Sequence, residues 1–328
     1  MKTTKTARFS VLDFEGTVGI FEKCEASKWL SKKMYAASKG KRAIDFDDPS
    51  IRCAIEPYVA QMRSQRAEAL SRSPVFVKVA KEVIPLRAME EAILAYDTSR
   101  YPLRERFIEV LFGSEKEGVV LEQLHREGRQ ADLGKRKDRL EKLALLSPMT
   151  VKARRQPFQD TYLDLVLHFI LPSLEVDLPE ACFHVQAMPC IRVVRPGEFS
   201  IGVHADVCYG FNPANINFYV ALTTVSGTNS IVMEHYGQED WHVANLNVGD
   251  IYRFPGALCG HFTMENTTPT TRVSLDFRVV AGSLWSEGDH YSRTAGYYVR
   301  TVKRGGEWVC SEPLPDPDAR NGFPFTNR

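Results

Sequence analysis

The chain has two textures. From about residue 23 to 173, apolar residues recur at three- and four-residue spacing within polar sequence, the period of amphipathic helices. Ile55, Val59 and Met62 form one such stripe, Met89, Ile93 and Leu94 a second, and Phe107, Val110 and Leu111 a third. Asp47-Asp48-Pro49-Ser50 has the composition of a helix start, and Pro102 and Pro148 punctuate the half. The last helix predicted, 158–174, carries Phe158, Tyr162, Leu165, Val166 and Phe169 on a broad stripe suited to packing on a sheet. Ahead of this half, residues 7–22 read as a short strand or a segment covering a substrate.

Near Pro179 the period changes. Short apolar or alternating runs follow one another at 183–194, 200–204, 216–224, 230–235, 241–247, 251–254 and 271–280. Turn signals separate several of them, including Arg195-Pro196-Gly197, Val248-Gly249-Asp250 and Pro255-Gly256. Closely spaced strands with regular turns predict a jelly roll or related barrel. The expected class is α+β, a double-stranded β-helix (jelly-roll) core with a largely helical N-terminal half packed around it. The expected division is 1–175 mainly helical, 176–281 core, and 282–328 an aromatic and polar extension covering the barrel.

Composition narrows the class little. Of 328 residues 44% are apolar and 25% charged, and the net charge is +1, so no global excess points to nucleic acid. Lys135, Arg136, Lys137, Lys152, Arg154 and Arg155 make 126–155 basic, but Glu127, Asp132, Asp138 and Glu141 are interleaved as on a solvated helical face. Seven scattered cysteines without a CxxC pair suit reduced thiols in a cytoplasmic protein. The apolar runs are too short to span a bilayer. The expected partner is therefore a small molecule, with no nucleic acid and no membrane, and a homodimer is the assembly considered.

The candidate chemistry lies in the second half. In Val203-His204-Ala205-Asp206 the imidazole and the carboxylate stand two residues apart, on one side of an extended segment. Together with His261 they would make a 2-His-1-carboxylate set, which leaves metal positions open and suits non-haem Fe(II). His235 and His242 are rivals for the third ligand, and either could equally be a surface or hydrogen-bonded core histidine. His261 is favoured by Arg272 on the last predicted strand, because a guanidinium can hold a carboxylate through two parallel hydrogen bonds. That strand alternates: Arg272, Ser274, Asp276 and Arg278 share one face, and Val273, Leu275, Phe277 and Val279 the other. If the apolar face packs on helices or a second sheet, the charged face lines a cavity. Asp276 and Arg278 could then meet substrate, or form an ion pair with each other. Asn217 and Tyr219 share a face of the 216–224 run and are candidate contacts to cosubstrate and substrate, or equally structural hydrogen-bonding residues.

These residues resemble the Fe(II)/2-oxoglutarate-dependent dioxygenases, which use an HxD…H triad and a following arginine. Gly227-Thr228-Asn229-Ser230-Ile231 and Thr271-Arg272-Val273-Ser274-Leu275-Asp276-Phe277-Arg278-Val279 look like the StrG-type hydroxylase group of streptomycin biosynthesis. The resemblance covers roughly 180–281. It implies Fe(II) at His204, Asp206 and His261, 2-oxoglutarate at Arg272 with a second contact near Asn229 and Ser230, and O2 as cosubstrate. The expected activity is oxidation of an unactivated C–H bond of a small polar metabolite such as an amino acid derivative, by hydroxylation, desaturation or cyclisation. A carboxylate at Asp206 disfavours halogenation, since related halogenases carry a small residue there. The alternatives are a protein hydroxylase and a jelly-roll protein that binds a small ligand without turnover.

Overall fold

A computed structural model describes residues 49–73, 90–113, 117–126, 145–198, 200–235, 241–287 and 296–314. The expectations for 7–22, for 127–144 of the basic segment, and for Met89 and Tyr291 lie outside the described residues.

The strands are β1 (Ala92–Ala95), β2 (Cys182–Gln186), β3 (Cys190–Val194), β4 (Ile216–Ala221), β5 (Ile231–Glu234), β6 (Trp241–Val243), β7 (Asp250–Phe254), β8 (His261–Thr263), β9 (Arg272–Ala281), β10 (Tyr298–Arg304) and β11 (Glu307–Cys310). All pair antiparallel, in two sheets. The larger runs β1-β7-β4-β9-β2-β10-β11, with β3 also on β9, and the smaller runs β6-β5-β8.

The long strand β9 organises the larger sheet. One edge pairs with β4, and the other with β3 and then β2. The single run expected at 183–194 is thus two strands, broken at Ala187-Met188-Pro189, where proline has no N–H for the ladder. Val273, Leu275, Phe277 and Val279 are fully buried in the main core with Phe107, Phe158, Tyr162 and Leu165. Phe277 stacks on Phe218 and meets Tyr162 edge-on, both at 5.1 Å. Each such side chain contributes roughly 1.5–3 kcal/mol by leaving water.

Helices α2 (Leu103–Phe112) and α3 (Lys152–Leu165) cover this apolar face. A π-turn at Val166–Ile170 joins α3 to α4 (Leu171–Asp177). Pro172 would clash with the carbonyl four residues back in a regular helix, and the wider turn before it absorbs the conflict. On the far side, α1 (Pro49–Ser71) lays Ile55, Val59 and Met62 against Val232, Phe262 and Met264 of the smaller sheet and its continuation. Between the sheets, Tyr219, Ala221, Tyr252 and Phe254 meet Ile231 and Met233. The layers are therefore helices, larger sheet, smaller sheet and helix. The site lies in the polar part of the space between the sheets.

Three further expectations change. Ile93 and Leu94 lie on β1, not a helix, because a four-residue apolar run has no readable period and here finds β7 as a partner. Arg155, expected on a solvated face, is fully buried and donates to the Met149 carbonyl at 2.9 Å. The described part of the C-terminal extension continues the larger sheet through β10 and β11, where a barrel cover was expected. Gly305 and Gly306 (φ 61° and 93°) make the hairpin turn, and Trp308 packs on Phe183. The six described cysteines form no disulfide. No described helix is long and apolar enough to cross a membrane.

Candidate metal centre

His204 and His261 face each other in an isolated antiparallel bridge, with backbone hydrogen bonds of 3.1 and 2.8 Å in the two directions. Asp206 opens a 3-10 turn (Asp206–Tyr209), and its N–H donates to the Gly256 carbonyl at 2.9 Å. The HxD alternation thus delivers one ligand from a bridge and the next from a turn. His261 opens β8, whose place is set from outside: Glu234 accepts from the Gly260 N–H (2.9 Å) and from Arg66 (2.5 Å). Helix α1 is thereby tied to the loop that presents His261.

All three ligands are buried, and their ligating atoms lie within 4.8 Å of one another. Asp206 Oδ1 is 3.5 Å from His204 Nε2 and 3.7 Å from His261 Nε2. Each ring donates Nδ1–H to a backbone carbonyl, His204 to Gly202 (2.8 Å) and His261 to Cys259 (3.1 Å). A carbonyl only accepts, so in the neutral ring Nε2 is the nitrogen with the lone pair, the arrangement metal-binding histidines use. Asp206 Oδ2 accepts from Asn217 (2.7 Å) and from Arg278 Nε (2.9 Å). Its Oδ1 is buried with no hydrogen-bond partner among the described residues. Two imidazole nitrogens and one carboxylate oxygen therefore converge on one point, the oxygen with no hydrogen bond among the described residues. An octahedral ion with bonds of about 2.1 Å needs ligand separations of about 3 Å, so each imidazole would close on Asp206 Oδ1 by roughly half an ångström or slightly more.

The charges agree. Burial alone would raise the Asp206 carboxyl, but the Arg278 guanidinium and the two imidazoles hold it well below its usual range. Burial and the neighbouring His204 push His261 down to about 4, so the ring is neutral and able to ligate at neutral pH.

A cavity open to solvent is lined by His204, His261, Asn217, Tyr219 and, from β9, Arg272, Asp276 and Arg278. Arg272 lies in it, 2% exposed, with Nη1 donating to the Ser230 carbonyl at 3.2 Å. Its Nε, the Tyr219 hydroxyl and the Ser274 hydroxyl are buried without hydrogen-bond partners among the described residues. Burial pulls the Arg272 guanidinium below its ordinary pKa, the mark of a cation lacking a counter-charge.

Other candidate residues have different occupations. Asp276 pairs with Arg192 (2.7 Å) and Arg278 (3.2 Å), and Arg278 also reaches Gln186 (3.3 Å), so the charges of β9 largely neutralise within the protein. Asn217 lines the cavity, but its amide N–H is spent on Asp206. Asn229 and Ser230 do not line the cavity: Asn229 donates to Thr270 (3.3 Å), the Ser230 hydroxyl to the Ala244 carbonyl, and only the Ser230 backbone oxygen touches Arg272. Arg192, unremarked in the sequence, enters the cavity from β3, where its pairing with Ser274 sets it beside Asp276. His235 and His242 are not third ligands here; they join Glu91 in a separate group. Glu91 carries no signal in the sequence, since only the fold sets it beside them.

No family model matches the chain. Streptomycin biosynthesis protein StrG of Streptomyces griseus is 31% identical over 114 residues, which cover 34% of this chain and 54% of that protein. The match thus spans about half the length of the curated relative. Among solved structures, the non-heme alpha ketoglutarate dependent epimerase SnoN from nogalamycin biosynthesis superposes with a TM-score of 0.40 at 12% identity, over 76% of this chain and 94% of that one. The carbocyclase SnoK of the same biosynthesis gives 0.37 at 15% identity, over 68% and 86%. Both superpositions are partial. The sequence resemblance to StrG thus extends over 114 aligned residues.

Proposed function

We propose that the protein is an Fe(II)/2-oxoglutarate-dependent oxygenase, a dioxygenase in type, acting on an unactivated C–H bond of a small polar metabolite. We read the two-sheet core as a double-stranded β-helix. The observation that carries the proposal is one cavity lined both by the two histidines of the His-Asp-His set and by a buried arginine with no carboxylate partner among the described residues. A buried, unpaired guanidinium is costly, and a ligand carboxylate removes that cost. Metal-dependent hydrolysis would use the same three ligands but gives Arg272 no role.

In this reading His204, Asp206 and His261 hold Fe(II), and Arg272 takes the far carboxylate of 2-oxoglutarate. The Tyr219 and Ser274 hydroxyls are the natural further donors to that carboxylate. Bound iron with its cosubstrate supplies the oxidising power, turning O2 and 2-oxoglutarate into succinate, CO2 and an oxidised substrate. The protein's own part is placement. Arg278 and Asn217 hold Asp206 so that one oxygen alone faces the metal, the Nδ1 bonds fix both rings, and the cavity walls limit water. A confined cavity between the sheets suits a small molecule better than a polypeptide. Hydroxylation is the simplest outcome, and the stretch shared with StrG supports a place in secondary metabolism.

The test is anaerobic titration with Fe(II) and 2-oxoglutarate, followed by the weak visible charge-transfer band, then succinate release across a panel of amino acids and aminated or hydroxylated metabolites. No band and no uptake of Fe(II) by wild type would end the proposal. A band with no succinate from any substrate, even with ascorbate, would favour a ligand-binding protein.

A further inference from the structure

A second group of ligating side chains lies at the edge of the sandwich. Glu91 immediately precedes β1, His235 immediately follows β5, and His242 sits on β6. Strand β1 is an edge strand of the larger sheet and β6 an edge strand of the smaller. The group therefore spans the two sheets where no backbone ladder joins them. Its ligating atoms lie within 4.8 Å of one another, as in the buried triad. Glu91 Oε2 is 2.8 Å from His242 Nε2 and 3.6 Å from His235 Nε2.

Two features suit this group to a cation. The two imidazoles now stack face to face, with centroids 3.8 Å apart and planes 17° apart, so the partly exposed His235 ring must turn for both in-plane lone pairs to meet one ion. Glu91 Oε1 and His242 Nδ1 are buried with no hydrogen-bond partner among the described residues. Tyr252 donates its hydroxyl to Glu91 Oε2 at 2.6 Å, and that hydroxyl is 2.9 Å from His242 Nε2. An outer-shell donor to a ligating carboxylate is a regular companion of metal sites.

We propose that Glu91, His235 and His242 form a second metal site, for a divalent ion of the zinc class, that clips strand β1 to strand β6. Two imidazoles and one carboxylate are zinc-type donors, and water completes a tetrahedron. Bonds of about 2.0–2.1 Å need ligand separations of roughly 3.3 Å. His235 is already near that distance from Glu91, and His242 must exchange its hydrogen bonds to Glu91 and Tyr252 for the ion and move back by about half an ångström. Unlike the buried triad, this site has no arginine beside it among the described residues to receive an anionic cosubstrate. Its expected role is to hold the fold together, independently of turnover.

The test uses metal-free protein dialysed against Zn(II), with Co(II) as the spectroscopic probe. A His204→Ala/Asp206→Ala background removes the buried site and separates this proposal from the oxygenase reading. That variant should still bind about one equivalent of Zn(II) at micromolar concentration and give the intense visible bands of tetrahedral Co(II). Adding His235→Asn or His242→Ala should weaken binding at least tenfold. Zn(II) should raise the melting temperature of the background by several degrees and leave that of the His235→Asn form unchanged. If the background does not fold, wild type should take up two equivalents and His235→Asn alone one. His235 is partly exposed, so that change is tolerable for the fold. Uptake that is absent below 100 μM, or indifferent to His235 and His242, overturns the proposal and leaves a hydrogen-bonded cluster only.

Discussion

Two groups of two histidines and a carboxylate stand in one molecule, and they differ in what surrounds them. His204, Asp206 and His261 are buried between the sheets, with both rings oriented by backbone carbonyls and the carboxylate gripped from behind by Arg278 and Asn217. Glu91, His235 and His242 are half-buried at a sheet edge, and their carboxylate leans on a tyrosine. The first group opens into a cavity holding Arg272 with no counter-ion among the described residues; the cavity does not include the second. Identical donor types therefore imply different chemistry. Open positions beside a cationic cradle suit a reaction, whereas donors bridging two edges suit a clip.

The largest effect should come from the buried triad itself. Asp206→Ala should weaken Fe(II) binding by at least about 100-fold and abolish succinate formation, since losing even an outer-shell partner costs about 10- to 100-fold. Zn(II) at the edge group should survive the change, and its loss would merge the two sites into one. Next, Arg278→Gln takes the shared cation from Asp206 and Asp276 and leaves two buried carboxylates under-paired. A loss of about 3–5 kcal/mol in urea unfolding is expected.

Arg272→Ala should weaken 2-oxoglutarate by about 100-fold, the worth of roughly 3 kcal/mol of charge-assisted hydrogen bonding, with Fe(II) affinity nearly unchanged in calorimetry. Because Arg272 is an unpaired buried cation, the ligand-free protein should not lose stability. A clear fall in melting temperature would show that the guanidinium already has a structural partner.

A smaller effect is expected at Gly256. A Cβ there would stand 2.4 Å from Asn217 Nδ2 and 2.7 Å from the Phe254 ring, so Gly256→Ala must displace the amide that orients Asp206. The expected cost is about 1–3 kcal/mol, with up to about tenfold weaker Fe(II) binding and no change at the edge group.

The smallest effect concerns pH. Burial would raise the Glu234 carboxyl, but the Gly260 N–H and Arg66 hold it below its ordinary 4.5. A carboxyl depressed by folding stabilises the fold above its unfolded pKa and loses that contribution as pH falls through the folded one. Glu234→Gln should lower stability at neutral pH and flatten the decline below about pH 4.5, as read from urea midpoints across pH. An unchanged acid slope would remove Glu234 from the support of His261.

Much of this was legible because strands alternate. The Arg272, Ser274, Asp276, Arg278 face and its apolar reverse can be separated on paper, and the structure turns one to the cavity and the other to the helices. The short run at 92–95 had no such signal, and neither did the partner of Arg155. The ion pairing of Asp276 with Arg192 depends on which strand lies beside β9, and that is a matter of register, not of local sequence.

The sequence by itself determined the residue types and their faces, because period and spacing are local properties of the backbone. It supplied the HxD pair, the later histidine and the arginine, and the change from helical to strand texture near Pro179. Only the tertiary structure decided which atoms are left without partners. Contacts between distant strands satisfy Asp206 Oδ2 but not Oδ1, neutralise Asp276 but not Arg272, and bring Glu91 to two histidines some 150 residues further along the chain. Long-range pairing spends some polar groups and spares others, and the spared ones make the sites.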